Sequence, residues 1–294
     1  MKDKIHLNPK PLVSIIVLVY NQLEYTKKCL TKIENTLSRQ LPYEVIVIDD
    51  CSNQETVNFL KNLGEPFRVY FNDTNKGFAI NSNYAARKAN GDYLCFLNND
   101  VFVKGNWLVP MINVFKTRKN VGVVGNVQKL ANSIRYDHMG VVFSPQGNPR
   151  HYGQGFLNRP FKGQVKRWSA VTAACCLIKK NLFLEIGGYD EIYLNGCEDI
   201  DLCLRMSSEG YFHYVVHDSI VIHIKGASEG RKLYNSKNER ILHERWYEKI
   251  VSNESVRDKK AYAWTYLCRG ILKPFSTNLI MWIQAFLTYF NLKK

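Results

Sequence analysis

Acidic side chains recur in this sequence after apolar runs and at the start of one helical segment. Asp50 and Asp100 each follow a run that is typical of a buried strand, and Glu198 and Asp199 begin a segment with helical spacing. A carboxylate can bind a hard divalent cation, which in turn holds phosphate oxygens, or it can act as a general base toward a hydroxyl. The pattern therefore predicts a site with one or both of these chemistries.

Polar neighbours could complete such a site. Asn98 and Asn99 precede Asp100, and their amides could bond ribose or phosphate groups, although the tripeptide by itself is also typical of a capped turn. His223 ends a later apolar run, where a neutral imidazole could complete a metal site with Asp100. A histidine at the end of a strand is otherwise usually structural, so both interpretations stay open.

The acids near residue 198 also have structural explanations. The helix dipole favours an acid such as Glu198 in a first turn, and the i,i+4 spacing of Asp201 and Arg205 predicts a surface salt bridge. Three acids within four residues nevertheless place carboxylates at a helix start that faces a loop. Asp199 could reach a substrate hydroxyl from that position.

Alternating strands and helices are predicted to position these residues. Apolar β-branched runs predict the strands, apolar positions at helical spacing predict the helices, and Ser52 and Gly64 are candidates for the start and end of one helix. The predicted strands cover residues 12–20, 43–50, 67–73 and 92–100, and the helices cover 23–38, 53–63 and 78–90. This order predicts a doubly wound α/β unit, in which ligands bind beyond the carboxyl ends of the strands.

The rest of the chain has a different composition. After about residue 125 it is rich in Gly, Pro and aromatic residues, which predicts irregular strands and loops on top of the sheet, and the segment 212–228 is predicted to contain a last strand that ends near His223. Residues 259–294 contain six Lys or Arg and no Asp or Glu, and residues 275–290 are strongly apolar but too short to span a bilayer comfortably. This tail is predicted to be either an interfacial helix or a helix packed on the domain or on a second subunit.

Composition narrows the class of protein. The 294-residue chain has 46% hydrophobic residues, which is typical of a globular protein, and its net charge of +14 favours an anionic partner. The turn after the first strand, "VYNQLEY", lacks the glycines of a dinucleotide-binding motif, which argues against an oxidoreductase of that kind. A nucleic-acid-binding protein and a non-catalytic scaffold remain alternatives, although no motif of the known nucleic-acid readers appears.

Two further absences concern compartment and metal binding. The N-terminal residues contain no apolar segment of a secretory signal, so the cytoplasm is the expected compartment. The eight cysteines include no CxxC pair, which argues against a zinc ribbon, and several lie in apolar runs as small core residues.

Six motifs taken together resemble the family 2 glycosyltransferases with a GT-A fold. They are "VSIIVLVYN", "EVIVIDDCS", "NKGFAINSNYAARKANGDYLCFLNND", "GGYDE", "EDIDLCLR" and "HIKGAS", and the resemblance covers roughly residues 11–250. It is closest to the bacterial branch that builds O-antigen, capsule and rhamnose-containing polysaccharides. The resemblance implies a Rossmann-like, mostly parallel sheet flanked by helices, followed here by a C-terminal helical tail.

The resemblance also implies roles for individual residues. On the nucleotide side these are Tyr20, Asn21 and Asp50 in the base pocket, Lys76 and Gly77 in the loop that closes over the nucleotide, and Asn99 at the ribose or phosphates. Asp100 occupies the last position of the family's D-x-D motif as a metal ligand, with Asn98 in place of the first acid, and His223 matches a second metal-binding position. Asp199, beside Glu198, matches the general base at the acceptor site.

The implied reaction is an inverting transfer of a sugar from a UDP- or dTDP-sugar to a hydroxyl of a glycan or lipid-linked glycan. Mn²⁺ or Mg²⁺ would neutralise the diphosphate. Residues 11–125 would form the nucleotide-sugar-binding half, residues 126–250 the acceptor-binding half, and residues 251–294 a basic amphipathic tail. The expected location is the cytoplasm or the inner face of the cell membrane, with the tail as a peripheral contact and no nucleic-acid partner.

Overall fold

The structure is a computed structural model that describes residues 10–37, 41–157, 161–224, 233–272, 275 and 278–292. Within these residues the strands are β1 (Val13–Val19), β2 (Tyr43–Asp49), β3 (Phe67–Phe71), β4 (Tyr93–Asn98), β5 (Val101–Phe102), β6 (Val121–Leu130), β7 (Tyr136–His138), β8 (Val141–Phe143), β9 (Pro149–His151), β10 (Val165–Trp168), β11 (Cys175–Lys179) and β12 (Phe212–His223). The helices are α1 (Leu23–Leu37), α2 (Gln54–Lys61), α3 (Gly77–Lys88), α4 (Val109–Thr117), α5 (Lys180–Glu185), α6 (Glu198–Ser208), α7 (Asn235–Lys249), α8 (Ser255–Leu272) and α9 (Leu279–Tyr289), with a π-helical turn at Ile250–Glu254.

One mixed sheet organises the chain. Its strands lie in the order β10-β12-β6-β11-β4-β1-β2-β3, while β5 pairs with β12 and β7 pairs with β6. β1 pairs in parallel with β2 and β4, β2 with β3, and β6 with β12, whereas β11 runs antiparallel to both β4 and β6. The sheet is therefore mostly parallel, and the predicted α/β architecture with alternating strands and helices is confirmed.

Both faces of this sheet are covered, which explains why β1 is apolar along its whole length. Ile15 and Val17 belong to a core that they share with Leu30 of α1. Ile16, between them in sequence, belongs to the opposite core together with Phe183 of α5. A strand that is buried on both faces must be apolar at every position, so β1 and β2 follow directly from the sequence pattern.

The predicted boundaries differ from the observed ones by one or two residues in these first elements, and the predicted N-cap is wrong. Asn53 caps α2, because its side chain accepts a hydrogen bond from the Thr56 N–H at 3.0 Å. Ser52 Oγ instead accepts a hydrogen bond from the Asn21 N–H at 2.8 Å. The hydroxyl therefore joins the loop after β1 to the loop after β2. The last predicted strand ends at His223, as the sequence predicts, and residues 225–228 lie outside the described residues.

The C-terminal part adds short strands and a helical hairpin. β8 and β9 form a separate two-stranded sheet, α8 contacts β8, and α9 packs back on α8. The predicted apolar tail segment becomes α9, whose N-cap Asn278 accepts a hydrogen bond from the Met281 N–H at 3.2 Å. Among the described residues, no helix is both long enough and apolar enough to cross a membrane.

Candidate active site

A cleft of about 570 Å³ lies at the carboxyl ends of β1, β2 and β4. Its walls come from the loops after these strands, from the β8–β9 hairpin and from the loop that leads into α6. The predicted site residues that line it are Tyr20, Asp50, Gly77, Asn99, Asp100, Glu198 and Asp199. Within the described part of the chain, Asn21, Lys76 and His223 do not line it. The structure thus brings together predicted residues that are far apart in sequence.

The buried carboxylate of Asp50 holds the start of α3 beside the cleft. Its Oδ1 accepts hydrogen bonds from the Lys76 N–H at 2.7 Å and from the Asn72 amide at 3.0 Å. Its Oδ2 accepts one from the Gly77 N–H at 2.9 Å. Gly77 has a φ of +79°, which L side chains rarely adopt, so this turn requires glycine. Asp50 therefore acts through the backbone of residues 76–77, and the Lys76 side chain takes no part in these contacts.

The loop after β1 presents an aromatic ring to the cleft. Tyr20 lines the cleft and is 47% exposed, so its ring is available to stack on a planar ligand. Asn21, the next residue, has a φ of 55°, and its Oδ1 accepts a hydrogen bond from the Asn53 N–H at 2.8 Å. Asn21 thus braces the loops after β1 and β2 against each other and shapes the cleft indirectly.

Asp100 and His223 meet because β5 pairs with the end of β12. His223 lies opposite Val101 in that pairing, and its Nε2 is 3.5 Å from Asp100 Oδ2. Its Nδ1 is 3.5 Å from Oδ2 of Asp137, a residue that the sequence pattern does not mark. Burial lowers the pKa of His223, but the interactions with the nearby carboxylates of Asp100 and Asp137 outweigh burial and hold that pKa above its ordinary value.

The donor atoms at Asp100 and His223 fit a divalent cation. Asp100 Oδ1 is buried and has no hydrogen-bond partner within the described residues, which leaves a carboxylate oxygen for a ligand. A carboxylate oxygen beside an imidazole nitrogen is a donor set that Mn²⁺ accepts, and Mg²⁺ uses the oxygen. The described ranges contain no group of three or more His, Cys, Asp or Glu side chains that could hold a metal.

The acids at the start of α6 form another wall of the cleft. Asp199 Oδ2 accepts a hydrogen bond from the Ala173 N–H, and its Oδ1 accepts one from the Ile200 N–H, both at 2.9 Å. Ala173 lies just before β11, which pairs with β4, so Asp199 is tied to the sheet that carries Asp100. Glu198 is buried and accepts a hydrogen bond from a backbone N–H of the preceding loop at 2.5 Å. Asp199 is the more accessible of the two acids.

The loop before α6 is strained and is linked to the opposite wall. Asn195 and Cys197 have φ values of 54° and 72°, a region that is costly for residues other than glycine. Asn195 Oδ1 accepts a hydrogen bond from the Phe78 N–H at 3.1 Å, in the first turn of α3. Asn238 of α7 holds the backbone of Leu194 through bonds of 3.3 and 2.8 Å. Sequence reasoning missed Asn195, because its contact with α3 depends on tertiary packing.

The predicted i,i+4 salt bridge between Asp201 and Arg205 forms, but its predicted place at the surface is wrong. Asp201 is fully buried, and its Oδ2 accepts a hydrogen bond from Arg205 Nε at 2.7 Å. Its Oδ1 accepts hydrogen bonds from Trp246 Nε1 at 2.8 Å and from the Tyr193 hydroxyl at 3.3 Å. α7 covers this side of α6, so the i,i+4 pair is part of a buried network that holds the acid-bearing helix in place.

Comparison with known proteins extends this description. O-antigen biosynthesis protein RfbC of Myxococcus xanthus is 29% identical over 229 residues, which are 74% of this chain and 18% of that protein. The chain thus spans less than a fifth of that relative's length. Rhamnosyltransferase WbbL of Escherichia coli strain K12 is 27% identical over 222 residues, which are 69% of this chain and 80% of that protein.

A solved structure and a family model bear on fold and family. The crystal structure of GalNAc-T7 with UDP, GalNAc and Mn²⁺ superimposes with a TM-score of 0.66 at 17% identity, covering 96% of this chain and 55% of that one. This likeness confirms the predicted GT-A fold. The model of the family described as "Glycosyl transferase family 2" matches residues 14–182, more than half of the sequence. The prediction from the sequence motifs is therefore confirmed, and the chain belongs to glycosyl transferase family 2.

Proposed function

We propose that this chain transfers a sugar from a nucleotide-diphosphate sugar to a hydroxyl of a growing cell-surface glycan, with inversion at the anomeric carbon. The observation that carries the proposal is one cleft lined by both Asp100 and Asp199. Such a transfer needs a group that helps to hold the diphosphate and a base for the attacking hydroxyl. The names of the two relatives, which refer to O-antigen biosynthesis and rhamnosyl transfer, support O-antigen, capsule or a similar polysaccharide as the acceptor.

The nucleotide is proposed to bind at the ends of β1 and β2. The exposed ring of Tyr20 would stack on the base, while Asn21 and Asp50 shape the pocket by holding its loops. The backbone of residues 76–77 would cover the nucleotide. Asn99, whose amide donates to Thr26 Oγ1 at 3.0 Å, lines the cleft and would contact the ribose or phosphates. The UDP in the GalNAc-T7 structure supports a UDP- or dTDP-sugar as donor.

Asp100 and His223 are proposed to hold a divalent cation, Mn²⁺ or Mg²⁺. The Mn²⁺ in the GalNAc-T7 structure supports the first of these. When bound, such a cation neutralises the diphosphate and makes it a better leaving group. Asp137 lies 3.5 Å from the other ring nitrogen of His223 and would orient the imidazole, as carboxylates commonly do for metal-binding histidines.

Asp199 is proposed to take the proton from the acceptor hydroxyl as that hydroxyl attacks the anomeric carbon. Its two backbone hydrogen bonds hold the carboxylate in one orientation, and each oxygen keeps a further lone pair for the hydroxyl. A single displacement from the face opposite the diphosphate inverts the configuration. Glu198 would support this geometry through its bond to the preceding loop.

The halves of the chain are proposed to divide the reaction. Residues 11–125 would bind the nucleotide sugar, residues 126–250 the acceptor, and residues 251–294 would form the basic tail. A glycan or lipid-linked glycan is the proposed acceptor, and nucleic acid is not. The basic, apolar tail supports a location in the cytoplasm at the inner face of the cell membrane, with the tail as a peripheral contact.

A panel of sugar nucleotides tests this proposal. The purified chain is incubated with UDP- and dTDP-sugars, in Mn²⁺ and in EDTA, and donor binding, hydrolysis and transfer are measured. We expect at least one donor to be turned over in Mn²⁺ and the turnover to be lost in EDTA. If no donor were bound or turned over, the chain would not be the enzyme proposed here.

The substitution Asp100→Asn tests the cation separately. We expect it to weaken nucleotide binding in Mn²⁺ by roughly tenfold or more, because one of two protein ligands becomes neutral. The matched control is Asp73→Asn, which removes an exposed carboxylate in the loop after β3. Full Mn²⁺-dependent affinity in Asp100→Asn would place the cation elsewhere.

A further inference from the structure

The helix α9 is apolar around most of its circumference, with polar side chains at Gln284 and Thr288. Its sequence, LIMWIQAFLTY, contains no charged side chain. A helix in a soluble domain is normally apolar on one face and polar on the other, and a helix that is hydrophobic all round is normally buried on all sides. The apolar surface of α9 is wider than the one face that packs in the hairpin, so the rest of that apolar surface calls for a partner.

One face of α9 packs on α8. Trp282 lies so close to Gly270 that a Cβ at that glycine would be 2.1 Å from the indole ring. The ring centroids of Tyr289 and Trp264 are 5.1 Å apart, and Ala285 is buried in the same cluster. Residues 282, 285 and 289 follow helical spacing, so they form one face, and this face is fully used in the hairpin.

A second face of α9, about 100° around the helix from the packed face, is exposed. It consists of large apolar side chains at i, i+4, i+7 and i+11, which lie on one side of a helix. We call them the outer stripe: Leu279 is 70% exposed, Ile283 46%, Phe286 39% and Phe290 53%. Ile271, near the end of α8, is 74% exposed and adds to the same apolar end of the hairpin. A contiguous apolar surface of this kind marks an interaction site.

Charge indicates which partner fits the outer stripe. Residues 259–294 carry six Lys or Arg and no Asp or Glu, in a chain with a net charge of +14. Two copies of so basic a region repel each other, whereas an anionic lipid surface attracts each basic side chain. An apolar helix face with basic flanking residues is the combination that an interfacial helix uses.

The hairpin is attached to a wall of the cleft. Asp258 of α8 accepts hydrogen bonds from the Phe143 N–H, at the end of β8, at 3.1 Å and from Ser169 Oγ at 2.5 Å. β8 also supplies Val141 to the lining of the cleft. A surface that holds α9 therefore also sets the orientation of the cleft relative to that surface.

We propose that the outer stripe of α9 docks in the headgroup region of an anionic lipid bilayer and keeps the cleft beside lipid-linked acceptors. The partner is the lipid surface itself, not another protein or a second copy of the chain. The statement about acceptors rests on the proposed function, whereas docking depends on the hairpin alone.

Vesicle co-sedimentation tests this proposal. The intact chain is mixed with vesicles of phosphatidylcholine alone, or with vesicles that also contain phosphatidylglycerol, at low and at high salt. We expect strong binding only to the anionic vesicles, weakened by salt. The double substitution Ile283→Glu and Phe286→Glu should reduce this binding by about tenfold or more, since it removes two large apolar groups and adds two negative charges. Ile134→Glu, at a residue that is 73% exposed outside the hairpin, is the matched control and should bind like the wild type.

Docking would be overturned if the wild-type chain did not bind anionic vesicles or if the double variant bound them as well as the wild type. It would also be overturned if Ile134→Glu lost as much vesicle binding as the double variant. Sedimentation velocity without lipid tests whether the outer stripe binds a second copy of the chain instead. Self-association that disappears in the double variant would also overturn docking. Nucleotide binding without vesicles should be the same in the wild type and in the double variant. This measurement separates a failure of the proposed enzyme activity from a failure of docking. Hydrogen exchange tests docking in the wild type, without any variant. If anionic vesicles did not protect the backbone amides of α9 from exchange, this would count against docking.

Discussion

The two sides of the cleft hold their carboxylates in different ways. On the side formed by the ends of β1 and β2, Asp50 directly follows a long strand and binds the backbone of residues 76–77. On the other side, Asp199 follows a loop in which Asn195 and Cys197 adopt left-handed conformations. The first arrangement follows from regular strand geometry. The second depends on side chains that hold a strained loop and the helix after it.

The two sides should therefore differ in how strongly a single substitution disturbs them. A strand such as β1 is supported by two neighbours and by a core on each face, so its end is positioned by many small contacts. The start of α6 is positioned by a few specific hydrogen bonds, which include those of Asp201 and Asn238. We therefore expect single substitutions to disturb the α6 side more than the strand side.

The largest expected effect is that of Asp199→Asn on transfer. Under the proposed mechanism the variant lacks the base, so the rate of transfer at saturating substrates should fall by roughly 10²–10⁴-fold. Nucleotide affinity should be nearly unchanged, because the residue faces the acceptor. Steady-state transfer kinetics and calorimetric titration with the nucleotide measure the two quantities.

The contrasting variant for Asp199→Asn is Asp50→Asn on the other side of the cleft. It weakens the contacts that hold residues 76–77, so we expect weaker nucleotide binding as its main defect. Full transfer activity in Asp199→Asn would mean that another group takes the proton. Equal patterns of loss in the two variants would remove the distinction between the two sides.

The next effect concerns stability on the α6 side. Asp201→Ala removes a buried carboxylate and leaves Arg205, Trp246 and Tyr193 without that partner. Removing one member of a buried ion pair typically costs about 3–5 kcal/mol. Urea unfolding followed by circular dichroism should show a loss of this size in the free energy of unfolding.

Glu244→Ala is the matched control for Asp201→Ala. Glu244 forms an i,i+4 pair with Arg240 on α7, but both side chains are exposed, so its loss should cost less than about 1 kcal/mol. Similar losses in the two variants would show that the buried network around Asp201 does not stabilise the α6 side.

A smaller effect is expected at Asp258, beneath the cleft wall on the α8 side. Burial, the largest cause, raises its pKa from 3.8 to about 6, although Ser169 and Arg257 oppose the rise. The folded chain therefore keeps this proton more tightly than the unfolded chain. This difference in proton binding adds about 3 kcal/mol to the free energy of unfolding below pH 3.8, and that contribution is lost as the pH rises through about 6.

Comparison with Asp258→Asn isolates that contribution. The difference in unfolding free energy between wild type and variant should shift against the wild type as the pH rises from 4 to about 6. Asp92→Asn, which removes an exposed carboxyl, serves as the control for one fewer acid. A difference between wild type and Asp258→Asn that stays constant over this pH range would contradict the assignment.

The contrast between the two sides also explains what could be predicted from the sequence. β1, β2 and α1 were predictable because burial on both faces imposes continuous apolar runs, and a packed helix imposes 3.6-residue spacing. Asp50 and Asp100 could be placed in one site because the ends of parallel strands converge. Asp199 was a candidate base from its place at a helix start, and the family motifs connected it to the same site as Asp100, which no spacing rule does.

The features that could not be predicted depend on tertiary pairing. Asp137 reaches His223 because β7 pairs with β6, next to β12, and nothing in its local sequence marks this contact. Asp201 was assigned to the surface because its i,i+4 pattern is the same whether or not another helix covers it. Only the packing of α7 makes it a buried residue.

The smallest expected effect tests one hydrogen bond between the loop before α6 and the start of α3. Asn195→Gly removes the acceptor for the Phe78 N–H but keeps a residue that tolerates a φ of 54°. One neutral hydrogen bond contributes about 1 kcal/mol, so transfer at saturation should slow by roughly fivefold. Asn195→Ala adds backbone strain to the same loss and should slow transfer further. Nucleotide affinity should change less than the rate, because Asp50 still holds residues 76–77. If Asn195→Gly behaved like the wild type while Asn195→Ala were impaired, the loop conformation alone would matter, and the hydrogen bond between Asn195 and Phe78 would not contribute to the rate.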